Sequence, residues 1–289
     1  MTTLVLEAPA KLNLFLQVLG RRADGFHLLQ TCYQFIDRCD RITLRLRRDG
    51  AVDRVLGPAG IAADQDLALR AALALKAASG SRLGCDLEVE KHIPQGGLGG
   101  GSSDAAAVLV GLDRLWGLGM SREALARIGL TLGADVPVFV HGQAAFAEGV
   151  GEVLTPVSLP EPWYLVLACP VEVSSAEMYQ VAELTRDSHP IRLRALFAGL
   201  REGNLTNAFE KVVRARFPAV DEALRWLSRR AQARLTGSGG CVYAAFGSRS
   251  DAERVLAQRP AGWQGFVAKG LNRSPIENWG VAKRQGNGF

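Results

Sequence analysis

The 289-residue sequence has no apolar run long enough to span a membrane. A spanning helix needs about 18–20 apolar residues, whereas the longest candidates, such as Trp163–Val171, have the length of a buried strand. Hydrophobic residues make up 48% of the chain and charged residues 22%, which excludes a disordered or a collagen-like chain. The length predicts a globular protein of roughly two domains without a membrane partner.

Cysteine is scarce, and its spacing forms no recognisable pair. None of the five cysteines belongs to a C-x-x-C motif or has a histidine at metal-ligand spacing. They are Cys32, Cys39, Cys85, Cys169 and Cys241. We therefore predict no zinc or other metal site in the protein itself. Since the first residues also lack the basic segment of a signal peptide, we expect reduced thiols and a cytoplasmic location.

Acidic residues are outnumbered, with 29 against 34 basic residues and a net charge of +5. This excess fits an enzyme for phosphorylated ligands, and it also fits a weak nucleic-acid binder. Two arginine clusters, within 41–48 and 225–234, are better explained as solvated faces of a strand and a helix. No zinc-finger, RNP or helix-turn-helix pattern accompanies them, so we expect no nucleic-acid partner.

Alternating and helical patterns follow one another along the chain, which indicates an α/β (α+β) fold. We place a domain boundary at 157/158, because Gly149, Gly151 and three nearby prolines interrupt the pattern. This gives domains 1–157 and 158–289. Residues after Trp279 are predicted to be disordered. The predicted strands are 12–19, 41–47, 85–89, 164–168, 241–246 and 265–269. The predicted helices are 67–79, 105–115, 121–132, 193–201, 205–216, 220–231 and 251–258.

The segment from Ile93 to Asp104 is unusually rich in glycine, with five glycines among residues 96–101, and it leads into a helix pattern. Glycines let a ligand approach the main chain, and exposed N–H groups at a helix start bind anions. Ser102 and Ser103 add hydroxyl groups, and Asp104 is expected to cap the helix or lie in its first turn. A flexible hinge would explain only an isolated glycine pair. The pattern favours a phosphate-binding loop, although it is not a P-loop, whose lysine it lacks.

Residues 94–103, Pro-Gln-Gly-Gly-Leu-Gly-Gly-Gly-Ser-Ser, resemble the ATP loop of the GHMP kinases, a family of small-molecule kinases. The match extends from about Ala8 to Pro275. It includes the segments 9–14, 22–27, 132–139 and 235–239. The resemblance implies an N-terminal domain like ribosomal protein S5 domain 2 and a C-terminal α/β sandwich. It also implies ATP as co-substrate with Mg²⁺, and a monomer or weak homodimer.

The segments 22–27 and 132–139 resemble a branch of the family whose acceptor carries a cytidine diphosphate group. That branch phosphorylates the 2-hydroxyl of a cytidylylated methylerythritol in the non-mevalonate route to isoprenoids. Two features depart from its pattern. The loop is one residue shorter between Pro94 and Leu98, and Phe26 stands where tyrosine is common.

The resemblance assigns the catalytic roles to Asp135 and Lys11. Asp135 would orient the acceptor hydroxyl and take its proton, and Lys11 would attract the acceptor oxygen. From the local pattern alone, Asp135 is explained as the N-cap of a helix with Pro137 in its first turn. Lys11 is likewise explained as a lysine that protects a strand edge.

For the ligands, the resemblance implies one set of residues at ATP and another at the acceptor. The ATP set is Pro94, Gly96, Gly97, Leu98, Gly99, Gly100, Gly101, Ser102 and Ser103. The acceptor set is Asn13, Phe26, His27 and Tyr179. Phe26 and Tyr179 would stack on the cytosine and His27 would bond its polar edge. Core packing explains Tyr179 equally well, and the other three histidines are interpreted as structural or solvent-exposed.

Three alternatives stay open at this stage. A GHMP kinase for homoserine, mevalonate or a sugar would share the glycine loop but give no reason for Phe26 and His27. A nucleotide sensor without activity would not need both Lys11 and Asp135. A nucleic-acid-binding module is suggested by the charge and the S5-like fold, and it would bind RNA with a steep salt dependence.

Overall fold

The computed structural model describes residues 2–278, and the tail predicted after Trp279 lies outside them. In the described part the chain forms ten β-strands and nine α-helices, with two short 3-10 turns at 63–65 and 275–278. The strands are β1 Thr3–Arg21, β2 His27–Arg47, β3 Val52–Leu56, β4 Gly84–Glu90, β5 Ala145–Glu148, β6 Val153–Pro156, β7 Trp163–Ala168, β8 Arg234–Leu235, β9 Cys241–Phe246 and β10 Gln264–Leu271. The helices are α1 Leu67–Ser79, α2 Gly100–Trp116, α3 Arg122–Leu130, α4 Val136–His141, α5 Ser175–Gln180, α6 Leu193–Glu202, α7 Glu210–Arg216, α8 Pro218–Ser228 and α9 Arg249–Ala257.

A single mixed sheet connects the two halves of the chain, in the order β3-β4-β2-β10-β7-β9-β8. Strand β2 is the central strand of this sheet, since it pairs with β1, β4, β5 and β10. Strands β1 and β2 form a long antiparallel hairpin with three shifts of register, which bend the ribbon. The hairpin therefore reaches from the N-terminal helices to the C-terminal ones.

Three groups of buried side chains fill the molecule. The first lies between helices α1–α4 and the N-terminal strands, the third between the C-terminal helices and strands β7–β9, and the second joins them along the β1–β2 hairpin. Helix α2 is buried over nearly its whole length, and its alanines let it pack closely against the hairpin. No helix within residues 2–278 combines the length and the apolar character needed to cross a bilayer.

Several predicted elements match closely. Helix α1 covers the predicted residues, with Asp66 capping its start and Gly80 ending it in the left-handed conformation at φ 67°. Strand β9 has the predicted bounds. The prediction missed residues 27–40 of β2, where Thr31 and Gln34 are buried beside apolar neighbours. Burial on both faces removes the alternation on which a strand prediction depends.

Several predicted helix boundaries were wrong, and the helix predicted over 220–231, for example, spans Pro218–Ser228. The helix predicted over 205–216 begins only at Glu210, because Thr206 and Ala208 bond instead to the main chain of Leu16 in β1. Helix α3 ends at Leu130, two residues before the predicted end at Leu132. In the helix predicted over 205–216, a contact distant in sequence overrides local helix propensity.

The end of the described chain returns to the N-terminal half. Gly270 and Leu271 of β10 pair with Ile36 and Phe35 of β2, and Ile276 belongs to the first buried group. The boundary at 157/158 stays a prediction, and residues 270–276 pack on its N-terminal side.

Candidate active site

The glycine loop crosses from β4 to α2 beside the β1–β2 hairpin. Helix α2 begins at Gly100, so Ser102 and Ser103 lie in its first turn. The first N–H groups of a helix have no partner within it, which makes this turn a site for anions. Ser103 is fully buried, and its hydroxyl lacks a hydrogen-bond partner in the described part of the chain. Leu98 is buried and anchors the loop, since its carbonyl accepts the N–H of Lys11 at 2.9 Å.

A second glycine-rich turn, residues 236–240, packs directly on this loop. A Cβ added at Gly97 would lie 2.2 Å from the carbonyl oxygen of Thr236, and one at Gly96 would lie 2.8 Å from the main chain of Gly240. The Thr236 hydroxyl donates to the Gly97 carbonyl at 3.2 Å. No contact of this turn was predicted from the sequence. Its glycines allow two main chains to meet without side chains between them.

Lys11, Asn13, Tyr33 and Asp135 form what we call the Lys11 cluster. The Lys11 ammonium is almost fully buried and donates to the Asn13 side-chain oxygen at 2.5 Å and the Gly97 carbonyl at 3.1 Å. It also lies 3.2 Å from Asp135 Oδ2. These contacts place the lysine charge between the glycine loop and a carboxylate, rather than at a strand edge.

Asp135 occupies the N-cap position of α4, yet its side chain makes no capping bond. Its backbone is already helical, at φ −83° and ψ −14°, whereas a capping residue is normally extended. Its Oδ1 accepts the Tyr33 hydroxyl at 2.9 Å, and its Oδ2 faces Lys11. The side chain is 30% exposed, so the carboxylate is fixed on two sides and accessible on a third.

Asp104 is placed differently from the prediction. It lies five residues into α2, is buried, and forms an ion pair with Lys91 instead of capping the helix. Gly99 takes the N-cap position, in the left-handed conformation at φ 72°. The helix thus begins five residues earlier than the apolar pattern alone indicates, because glycines and serines form its first turn.

A second group, which we call the His27 cluster, comprises Phe26, His27, Tyr179 and Arg186. The rings of His27 and Tyr179 stack with centroids 4.8 Å apart. Arg186 Nε donates to His27 Nε2 at 3.3 Å, which leaves the proton of a neutral imidazole on Nδ1. Burial, together with the charges of Arg186 and Arg21, lowers the pKa of His27. The Phe26 ring is 60% exposed.

The structure connects the two clusters along one side of the hairpin. Burial, together with the charge of Asp135, raises the pKa of Tyr179. One face of the Tyr179 ring is covered by His27, and Phe209 meets the ring edge to face at 4.9 Å. Stacking of Tyr179 on a base stays a prediction, since it requires one of these neighbours to move.

The sequence matches two family models, described as the GHMP kinases N terminal domain over residues 66–143 and the GHMP kinases C terminal over residues 182–264. It is 52% identical to the 4-diphosphocytidyl-2-C-methyl-D-erythritol kinase of Halorhodospira halophila over 273 residues, which cover 93% of each chain. It is 53% identical to the enzyme of the same name from Alkalilimnicola ehrlichii, with 93% and 91% covered. This chain belongs to the 4-diphosphocytidyl-2-C-methyl-D-erythritol kinases, within the GHMP kinase superfamily.

Solved structures of GHMP kinases agree with this assignment. A crystal structure of 4-(cytidine 5'-diphospho)-2C-methyl-D-erythritol kinase is 30% identical, with a TM-score of 0.79 over 92% of this chain and 99% of that one. A mevalonate kinase shares the fold at 15% identity and a TM-score of 0.67, over 93% of this chain and 100% of that one. The two-domain GHMP kinase fold expected from the sequence is confirmed, and with it a small-molecule kinase that uses ATP.

Sequence reasoning missed two residues that contact the candidate site residues. Tyr33 reaches Asp135 from 102 positions away, and Arg186 reaches His27 from 159 positions away. Tyr33 lies in the part of β2 that was not predicted, and Arg186 in a segment without regular structure. Neither has a local motif, so only the folded chain reveals these contacts. Within residues 2–278, His, Cys, Asp and Glu side chains form no group of three that could hold a metal ion.

Proposed function

We propose that this GHMP kinase transfers the γ-phosphoryl group of ATP to the 2-hydroxyl of 4-diphosphocytidyl-2-C-methyl-D-erythritol, releasing ADP, in the non-mevalonate route to isoprenoids. The single observation that supports this best is the Lys11 cluster: a buried ammonium 3.2 Å from a partly exposed carboxylate, against the glycine loop. The names of the relatives supply the acceptor.

The glycine loop would hold ATP. We assign the triphosphate to residues 94–103, where the main-chain N–H groups at the start of α2 meet negative oxygens without Cβ atoms in between. Phosphoryl transfer asks the protein mainly for positioning and for stabilisation of charge. Lys11 would provide the charge next to the loop, in the place of the lysine that a P-loop carries within its own motif.

Asp135 would act on the acceptor hydroxyl. Because Tyr33 and Lys11 fix its two oxygens, the carboxylate has one orientation, and its exposed side can accept a proton from an incoming hydroxyl. The side chain of Asn13 is held in one orientation, since its amide nitrogen donates to the Thr31 hydroxyl at 2.9 Å. We assign Asn13 to the polar part of the acceptor beside the reacting hydroxyl.

Mg²⁺ would enter with ATP. The described residues offer no acidic cluster for it, and we assign it no protein ligand. Magnesium ions commonly bind substrate phosphates while keeping several waters. Such coordination needs no acidic residue in the loop, whose N–H groups and hydroxyls would bind the phosphates. When bound, the ion would neutralise charge on the β- and γ-phosphates.

The His27 cluster would recognise the cytosine. A neutral His27 with its Nδ1 proton free of Arg186 can donate to the polar edge of the base, and Phe26 offers an exposed ring for stacking. Tyr179 completes the assigned residues. We further propose a cytoplasmic monomer or weak homodimer, and the five free cysteines support a reducing compartment.

Release of ADP from ATP and Mg²⁺ tests the proposal, with 4-diphosphocytidyl-2-C-methyl-D-erythritol, homoserine, mevalonate and galactose compared as acceptors. We expect turnover with the first acceptor alone. Turnover only with another acceptor would overturn the substrate while keeping a kinase. If ATP binds but no ADP is released with any of the four acceptors, the nucleotide sensor is favoured.

A further inference from the structure

Two buried aspartates and a lysine lie behind the glycine loop, apart from both clusters described above. Asp40 is in β2, Lys91 directly follows β4, and Asp104 is in α2. Asp40 is fully buried and Asp104 nearly so, while the Lys91 side chain is 28% exposed. The three groups therefore join the strands before the loop to the helix after it.

Asp40 holds the entry of the loop through its main chain. One oxygen, Oδ1, accepts the N–H of His92 at 2.5 Å and the N–H of Ile93 at 2.8 Å. These are the last two residues before Pro94, where the loop begins. A carboxylate bonded to two consecutive N–H groups fixes the direction in which the chain leaves β4, because both groups must point at the same atom.

Lys91 connects Asp40 to the other end of the loop, where α2 begins. Its ammonium forms ion pairs with Asp40 Oδ2 and, at 2.6 Å, with Asp104 Oδ2. It also lies against Gly100, where an added Cβ would be 3.2 Å from the Lys91 nitrogen. The start of α2 is thus tied through Lys91 to the carboxylate that fixes the loop entry.

We propose that Asp40 is a positioning residue of the nucleotide loop, which holds the entry of the loop directly and the start of α2 through Lys91 and Asp104. The proposal rests on the proposed function only in taking a nucleotide as the ligand of the loop. It requires no particular acceptor.

The charge of the group fits this role. Two carboxylates share one ammonium, and Asp104 Oδ1 has no hydrogen-bond partner in the described part of the chain. Burial raises the pKa of Asp104 to about 7, against the opposing effect of Lys91. A protonated Asp104 leaves the group close to neutral, so that it adds little negative charge behind a loop that binds phosphates.

Two substitutions separate the effect of Asp40's hydrogen bonds to the main chain from the effect of its charge. In Asp40→Asn the amide oxygen can still accept the N–H groups of 92 and 93, but the negative charge beside Lys91 is gone. Asp40→Ala removes both the hydrogen bonds and the ion pair with Lys91. We expect the dissociation constant of mant-ADP, measured by fluorescence, to rise about thirtyfold in Asp40→Ala and about fivefold in Asp40→Asn. The matched control is Asp221→Asn, which removes another ion-paired aspartate from α8 and should leave mant-ADP binding unchanged.

Steady-state kinetics distinguish positioning from a general loss of structure. We expect KM for ATP to rise with the mant-ADP constant, while KM for the acceptor and kcat at saturating ATP stay within about threefold. If Asp40→Ala does not fold, hydrogen exchange in Asp40→Asn replaces it. The amides of 92 and 93 should then exchange about tenfold faster, because a neutral acceptor bonds more weakly.

Three results would overturn the proposal: wild-type affinity for mant-ADP in Asp40→Ala, a parallel rise of both KM values, or unchanged exchange at 92 and 93 in Asp40→Asn. Failure of the proposed function gives a different result, namely normal mant-ADP binding by the unmodified protein with no turnover of the cytidylylated acceptor.

Discussion

Two places along the β1–β2 hairpin, the Lys11 cluster in its middle and the His27 cluster at its turn, are built on opposite principles. In the Lys11 cluster the ammonium has three polar partners, and both oxygens of Asp135 are engaged. In the His27 cluster one long contact from Arg186 and a stacked ring hold the histidine, and Phe26 is exposed. The contacts of the Lys11 cluster fix its atoms without a ligand, whereas the His27 cluster presents surfaces that a planar ligand can rearrange. Chemistry requires fixed atoms, and recognition of a base tolerates adjustment.

The largest effect is expected from Asp135→Asn, which removes the carboxylate charge but keeps the size of the side chain. We expect kcat to fall about a thousandfold, within the range typical of a lost general base, while the melting temperature changes little. ADP release and thermal unfolding measure the two quantities. The control is Asp113→Asn, whose aspartate accepts the Met120 N–H at the end of α2. Near-normal turnover in Asp135→Asn would remove the contrast between the two clusters.

Next in size is Gly97→Ala, which tests the rigidity of the loop. A methyl group would lie 2.2 Å from the Thr236 carbonyl, at a φ of 79°. We expect a loss of about 3 kcal/mol in the free energy of unfolding and much weaker mant-ADP binding.

Gly119→Ala is its matched control, since Gly119 also has a positive φ, of 67°, but open space around it. This variant should lose only about 1 kcal/mol and bind mant-ADP normally. Equal effects in the two variants would mean that backbone strain, rather than the contact with Thr236, restricts position 97.

His27→Ala should affect binding rather than chemistry. We expect KM for the cytidylylated acceptor to rise about tenfold and kcat to change less than about twofold. His189→Ala, at an exposed histidine, is the control. A fall in kcat with unchanged KM would place His27 in the chemical step and contradict the division between the clusters.

Tyr33→Phe tests how firmly the Lys11 cluster is fixed. The variant removes the hydroxyl that donates to Asp135 and keeps the buried ring, so we expect kcat to fall about fivefold. The control is Tyr164→Phe, which removes a buried hydroxyl bonded to Gln34. If the two variants behave alike, Lys11 alone orients the carboxylate.

The smallest effect is a dependence on pH. The pKa of His27 lies below its ordinary value of 6.5, so the imidazole is neutral at pH 7 and above. KM for the acceptor should be flat from pH 8 to 7 and rise, by about threefold, only as the pH falls through the lowered pKa. Arg186→Gln removes one cause of the lowering and should move this rise to higher pH. A rise that begins above pH 7 would contradict the lowered pKa.

Local sequence was a good guide where the signal is local. The density of glycine in residues 96–101 predicts an anion-binding loop whatever the rest of the chain does, and Asp66 and Gly80 delimit α1 by simple capping rules. The same rules explain Asp135 as a cap, and this is wrong, because its helical backbone directs the carboxylate away from the N–H groups. Only the family resemblance assigned Asp135 and Lys11 to the same catalytic site.

Contacts between distant residues could not be predicted in this way. Tyr33, Arg186 and Asp40 each lie in a segment whose local pattern indicates only a strand or a loop. Their partners are fixed by the course of β2, whose long buried part has no alternation. Where burial on both faces of a strand removes the periodic signal, the sequence alone does not predict which of its residues position a site.

The main-chain contact between the glycine loop and residues 236–240 has a consequence for how such a chain can change over generations. The Thr236 hydroxyl and the Gly97 carbonyl are 139 positions apart in sequence, and at this seam the two backbones touch without side chains between them. A residue larger than glycine in the loop has no space unless the backbone of residues 236–240 moves away, and the reverse also holds. Substitutions at 96 and 97 should therefore be inherited together with changes at 237 and 240, so that one loop is encoded in two distant parts of the gene.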